Sequence, residues 1–210
     1  MFVDIHTHNK SQSNYCSIRN LTFAEAEEIF SSNEKGFFSV GFHPWFVNEY
    51  SEELFKKLEK WAVDSRFVAI GECGLDKNSK SDLNIQTAIF QKQILLSETL
   101  QKPLIIHCVG CFNELFELKN QLNATQLWII HGFRGKPELA RQALKAGCSF
   151  SIGEHFNAES VRIIPIDKLY VETDESMMPI EAIFNKIAET KSVEPERLNA
   201  GELLLRNQIQ

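Results

Sequence analysis

No stretch of the 210-residue chain approaches the roughly 18–20 consecutive apolar residues of a membrane span. Asp4 and His6 interrupt the N-terminus before the apolar centre of a signal peptide could form, so a soluble, cytoplasmic protein without membrane contact is expected. Basic runs are missing too. The 22 Lys and Arg residues against 28 Asp and Glu leave a net charge of −6, which excludes a broad electrostatic nucleic-acid footprint but not an enzyme that meets phosphate through a few local cations. There is no linker rich in glycine, serine or proline and no long charge block, so residues 1–210 read as one compact domain. Neither G-x-G-x-x-G nor G-x-x-x-x-G-K-[ST] follows the first strand, which argues against a dinucleotide or P-loop fold. Cysteine is sparse and odd in number, at positions 16, 73, 108, 111 and 148, so free thiols in a reducing compartment are expected. Cys108 and Cys111 form a C-x-x-C with no second pair, and they read as small buried or half-buried thiols.

What is present is regular alternation. Apolar, β-rich runs fall at residues 2–5, 15–19, 37–42, 67–71, 104–107, 127–131, 148–152 and 169–172. Several are apolar at consecutive positions, as suits strands covered on both faces. Segments of helical spacing lie between them: 23–30, the stripe Leu54, Leu58, Trp61 and Ala62, then 85–100, 112–122, 137–146 and 179–188. Pro137 and Pro179 stand where a first helical turn tolerates proline. Residues 154–164 have little periodicity. Eight strands alternating with helices predict an α/β fold of the (β/α)8 TIM-barrel type, with a doubly wound open sheet as the second choice.

The six histidines, at 6, 8, 43, 107, 131 and 155, all lie at or within three residues of the C-terminal end of a strand candidate. In a barrel those ends share the face where active sites are built. His6 and His8, two apart on a strand end, point to one side and can reach one ion. Glu72 and Asp174 end strand candidates at the same level, where a carboxylate can bridge two ions. Such a mixed nitrogen and oxygen set suits zinc, manganese or iron and leaves magnesium possible. His155 reads as a surface residue. Phe42, Trp45 and Phe46 flank His43 and could stack a base or sugar, although core packing is the commoner fate of such residues.

Six segments, in order, resemble the TatD-type metal-dependent hydrolases, a branch of the amidohydrolase barrels. They are residues 2–8 (FVDIHTH), 40–44 (VGFHP), 69–76 (AIGECGLD), 104–107 (LIIH), 131–135 (HGFRG) and 171–174 (VETD). The resemblance implies two divalent ions per chain (zinc, manganese or magnesium). His6, His8, Glu72 and Asp174 would hold one, and Glu72, His107 and His131 the other, with Glu72 shared. It implies catalytic roles for Glu72 and Asp174, the latter orienting or deprotonating the attacking water. A second-sphere or substrate-contacting role for His43 is implied as well.

The chain departs from the family pattern at the loops. Lys77-Asn78-Ser79-Lys80 follows Asp76 where the family usually has aromatic residues and an arginine. Glu175 to Pro179 runs straight into a helix, and Arg134 stands where the family usually has serine. At the strand mouth, Arg134 could bind a phosphate bidentately or pair with an acid such as Glu175. The expected activity is a phosphoesterase or deoxyribonuclease acting on a small phosphoester or DNA. Alternatives are a metal-dependent amidohydrolase, lactonase or esterase, and a metal-binding interaction module without turnover.

Overall fold

The computed structural model describes residues 1–10 and 15–209, with side chains to residue 206. Its eight strands are β1 (Val3–Thr7), β2 (Cys16–Leu21), β3 (Phe37–Val40), β4 (Phe67–Asp76), β5 (Leu104–Val109), β6 (Trp128–Ile130), β7 (Ser149–Ile152) and β8 (Leu169–Val171). They form one sheet in chain order, β1 to β8, with a helix in each connection from β2 onward, in keeping with the (β/α)8 expectation. No helix among the described residues is long and apolar enough to cross a membrane. The chain divides into two compact units, Met1–Arg19 with Ile129–Gln210, and Asn20–Trp128.

In the unit Asn20–Trp128, local chemistry sets the helix starts. Thr22 caps α1 (Phe23–Phe30) with a reciprocal box: its hydroxyl accepts from Glu25 N at 3.3 Å, and the Glu25 carboxylate accepts from Thr22 N at 2.9 Å. Ser51 caps α2 (Glu52–Val63), and Asp82 caps α3 (Leu83–Leu100). The predicted α2 stripe is the buried one, with Phe55 beside Leu58, Trp61 and Ala62. Burying each large side chain of that stripe contributes about 1.5–3 kcal/mol. Strand β4 is buried at every position and pairs in parallel with β3 and β5. It runs five residues beyond its predicted end at Gly71. Gly74, at φ +135°, makes that extension possible, because a β-carbon there would overlap the His107 carbonyl of β5.

In the other unit, β7 pairs in parallel with β6 and β8, and the chain beyond β8 returns to β1 through a parallel bridge between Thr7 and Asp174. Helix α4 (Phe112–Gln121) belongs to Asn20–Trp128, whereas α5 (Pro137–Lys145) starts on its proline as expected. Pro179 instead sits one residue before α7 (Ile180–Lys191), as its N-cap. Two helices escape the sequence reading. The short α6 (Ala158–Ile163) lies in the stretch of poor periodicity, capped by Asn157. The second, α8 (Ala200–Ile209), sets Gly201 against Val3 and Ile5 of β1.

Candidate metal centre

All six histidines stand at the C-terminal ends of strands. His6 and His107 lie inside β1 and β5, His8 and His131 one residue past β1 and β6, and His43 and His155 three past β3 and β7. Each unit carries a ligand cluster of its own, His6, His8 and Asp174 in one and His43, Glu72 and His107 in the other.

The first cluster grows from β1. Period-two alternation puts Asp4, His6 and His8 on one side of the strand. Asp4 is fully buried, and its carboxylate accepts from Thr173 N at 3.0 Å and from the Thr173 hydroxyl at 2.6 Å. Burial pushes the Asp4 carboxyl up to about 7, although those hydrogen bonds pull the other way. The next residue, Asp174, has a left-handed backbone (φ +55°), which aspartate tolerates better than most residues. Its N–H donates to His6 O at 2.9 Å, and its carbonyl accepts from His8 N at 3.1 Å. The Asp174 residue is thus clamped between the main-chain groups of the two histidines whose side chains it faces.

His6 Nε2 and His8 Nε2 lie 3.7 and 3.6 Å from Asp174 Oδ1. That is too long for a good N–H···O hydrogen bond. It is close to the edge between ligands on a tetrahedral ion, about 3.3–3.6 Å for bonds of about 2.0–2.2 Å. Two imidazoles and a carboxylate at these separations fit a divalent transition ion. The His131 ring lies 4.5 Å from that of His6, and His131 Nδ1 is 3.6 Å from Glu172 Oε1. Glu172 is fully buried and accepts from Gly132 N at 2.6 Å. Complete burial opposes its charge, but the His131 and His6 imidazoles outweigh that and hold its carboxyl below the ordinary range.

The second cluster, in Asn20–Trp128, is knit by hydrogen bonds. Glu72 Oε1 lies 3.1 Å from His43 Nε2 and 3.0 Å from His107 Nδ1. The backbone N–H of Trp45 points at His43 Nδ1 (3.1 Å), so that nitrogen accepts and the proton belongs on Nε2, facing Glu72. His43 therefore orients Glu72 rather than offering a lone pair to an ion. His107 has the opposite polarity. Its Nε2 faces Asp76 Oδ2 at 2.9 Å; with the proton there, Nδ1 is left as a ligand atom 3.0 Å from Glu72 Oε1, and the two acceptors together offer donor atoms to one ion. A histidine whose far nitrogen donates to a carboxylate is the usual arrangement of a metal-bound imidazole. Burial works against charge on Asp76, but hydrogen bonds from Trp45, His107 and the Asn78 backbone hold its carboxyl below the ordinary range.

Arg134 is exposed, and among the described residues it has no ion pair, with Glu175 or any other acid. It lines a cavity of about 230 Å³ with Gly132, Gly153, Glu172, Asp174 and Ser176. His155 is exposed, 3.9 Å from Glu154. No disulfide joins any of the five cysteines; Cys108 is half-buried and Cys111 buried.

Histidine and carboxylate donors at the strand ends of a parallel eight-stranded sheet are the composition of a metal-dependent hydrolase site. Residues 3–200 match the family described as TatD related DNase, and the chain belongs to that family. It is 32% identical over 202 residues to an uncharacterized metal-dependent hydrolase from Buchnera aphidicola, covering 86% of this chain and 75% of that protein. It is 33% identical over 146 residues to the 3'-5' ssDNA/RNA exonuclease TatD of Erwinia tasmaniensis, covering 65% of this chain and 56% of that one. The crystal structure of YJJV, a TatD homolog from Escherichia coli K12, shares the fold at a TM-score of 0.82 and 17% identity, over 99% of this chain and 97% of that one.

Three participants were missed in the sequence as positioning groups: Asp4, Asp76 and Glu172. For Asp4 a signal was available, because it stands two residues before His6 on one face of β1; Asp76, whose partner His107 is 31 residues away, and Glu172, beyond the end of β8, had no such local spacing.

Proposed function

We propose that residues 1–210 act as one hydrolase domain, a divalent-metal-dependent phosphodiesterase that trims single-stranded nucleic acid from an end. The observation that carries this is the pair of imidazoles set 3.6 and 3.7 Å from one Asp174 oxygen, together with the Glu72–His107 pair. We assign His6, His8, His131 and Asp174 to one cation, and Glu72 and His107 to a second. Bound cations would supply Lewis acidity and positive charge toward a phosphodiester, which the chain's net charge of −6 does not.

The chain's own groups do the rest. Asp174, aimed by its backbone clamp, accepts the proton of the attacking water. His43, donating from Nε2, keeps the Glu72 carboxylate in a fixed orientation. Arg134, which makes no ion pair among the described residues, takes a phosphate oxygen at the rim of the 230 Å³ cavity. An acidic protein with one such arginine grips a strand locally, in keeping with action at ends.

The test is digestion of 5'-labelled single-stranded DNA and RNA with manganese, magnesium or zinc added separately. Stepwise shortening from the 3' end is expected. Intact nucleic acid alongside hydrolysis of a lactone or carboxylic ester would replace this reading with the esterase alternative.

A further inference from the structure

Among the described residues, the only aromatic side chains in the exposed large-hydrophobic class are two neighbours, Trp45 (57% exposed) and Phe46 (55%). Phe42, three residues earlier, is buried against Phe23, Tyr50 and Phe55. Core packing therefore accounts for Phe42 and not for the other two. A tight turn, closed by Phe46 N donating to His43 O at 2.9 Å, lifts both rings out of the core.

The turn places them beside the second cluster. The Trp45 ring centre is 5.1 Å from that of His43 and 6.0 Å from that of His107, and the Phe46 ring is 5.8 Å from His43. Trp45 is also held in place: its Nε1–H donates to Asp76 Oδ2 at 2.7 Å. An exposed indole with its rotamer already set loses little entropy when a flat ligand settles on it. Two adjacent exposed aromatics leave apolar area in water that a folded chain would otherwise bury.

We infer that Trp45 and Phe46 form a stacking platform for the nucleobase next to the phosphate under attack. This rests on the nuclease reading above and adds a subsite to it. The occupant follows from position: rings this near the Glu72–His107 pair lie within the reach of one nucleotide from its phosphate to its base. Stacking accepts any base, so the platform gives affinity for unpaired nucleotides with little sequence preference. A paired base keeps its faces covered by its neighbours, so the platform selects single strands or frayed ends.

The test uses a hydrolysis-resistant phosphorothioate oligonucleotide and the same sugar–phosphate chain without bases, each titrated in manganese. Trp61 and Trp128 are buried, so Trp45 is the accessible fluorophore among the three tryptophans. The base-bearing strand should quench indole fluorescence and the baseless one should not. Trp45→Phe should abolish the quench and keep the affinity, because a ring remains. Phe46→Ala and Trp45→Leu should each weaken the base-bearing strand about 10-fold and the baseless one by less than about twofold. Equal wild-type affinity for both strands overturns the platform, as does a quench that survives Trp45→Phe. A Trp45→Leu loss equal for both strands overturns it too, since that reports the hydrogen bond to Asp76 instead of stacking. Normal digestion of oligonucleotides together with any of these results removes the platform alone, whereas absent binding and absent digestion remove the nuclease reading with it.

Discussion

The two ligand clusters are built on opposite principles. Around Asp174 the donor atoms stand 3.6–3.7 Å apart, with the carboxylate placed by main-chain hydrogen bonds to His6 and His8. Around Glu72 the contacts are 2.9–3.1 Å, and each ring nitrogen of His43 and His107 has its own partner. The first cluster is spaced for something between its members. The second is held from outside, His43 by the Trp45 backbone and His107 by Asp76, and those two partners decide which nitrogens carry protons. One is aimed by the backbone, the other by a side-chain network.

The sharpest way to break that contrast is at Asp174. Asp174→Asn keeps an oxygen for coordination and loses the ability to accept a proton, so turnover should fall about 10²–10⁴-fold while elemental analysis still finds most of the metal. Near-normal turnover would remove Asp174 from the mechanism. A smaller effect is expected at Asp76, which acts through His107. Asp76→Asn should lower metal affinity by about 10–100-fold in a competition titration, with the loss confined to one binding step. Arg134→Ala should raise KM for an oligonucleotide about 10-fold and leave metal content untouched, the pattern for a group that binds substrate without touching the ions. An unchanged KM would leave Arg134 outside the substrate's path. The mildest change is spectroscopic. On chelation the imidazole NMR signals of His6 and His8 should move, whereas those of His43, held by the Trp45 N–H and Glu72, should stay nearly fixed. Equal movement of all three would erase the distinction between the clusters.

How far the sequence could be read follows the same division. Strands buried on both faces announce themselves as apolar runs, and all eight were legible. Helix α1 was readable to the residue because its apolar spacing and its Thr22–Glu25 cap agree. The far half of β4 was hidden, since Glu72-Cys73-Gly74-Leu75-Asp76 has two acids and a glycine and reads as loop. Only pairing of Cys73 through Asp76 with β5 makes it strand. Helix α6 was hidden by its length, one and a half turns held by tertiary contacts. In the cluster around Asp174, HTH and VETD sit at strand ends and could be read as ligands. The function of Asp76 depends on His107, 31 residues away, and no local spacing encodes that. The exposure of Trp45 and Phe46 beside a buried Phe42 depends on a turn, which a count of sixteen phenylalanines obscures.

The bridge between Thr7 and Asp174 has a bearing on the order of events during synthesis. Its two sides are separated by 167 residues, and the intervening Asn20–Trp128 is a contiguous unit with its own core. On a ribosome that unit leaves the exit tunnel whole, while residues 1–19 still lack every partner strand that Ile129–Gln210 will supply. His6 and His8 are thus made well before Asp174, the residue that completes them as a ligand set. The nascent chain carries two imidazoles with no carboxylate clamped between them until residue 174 has emerged.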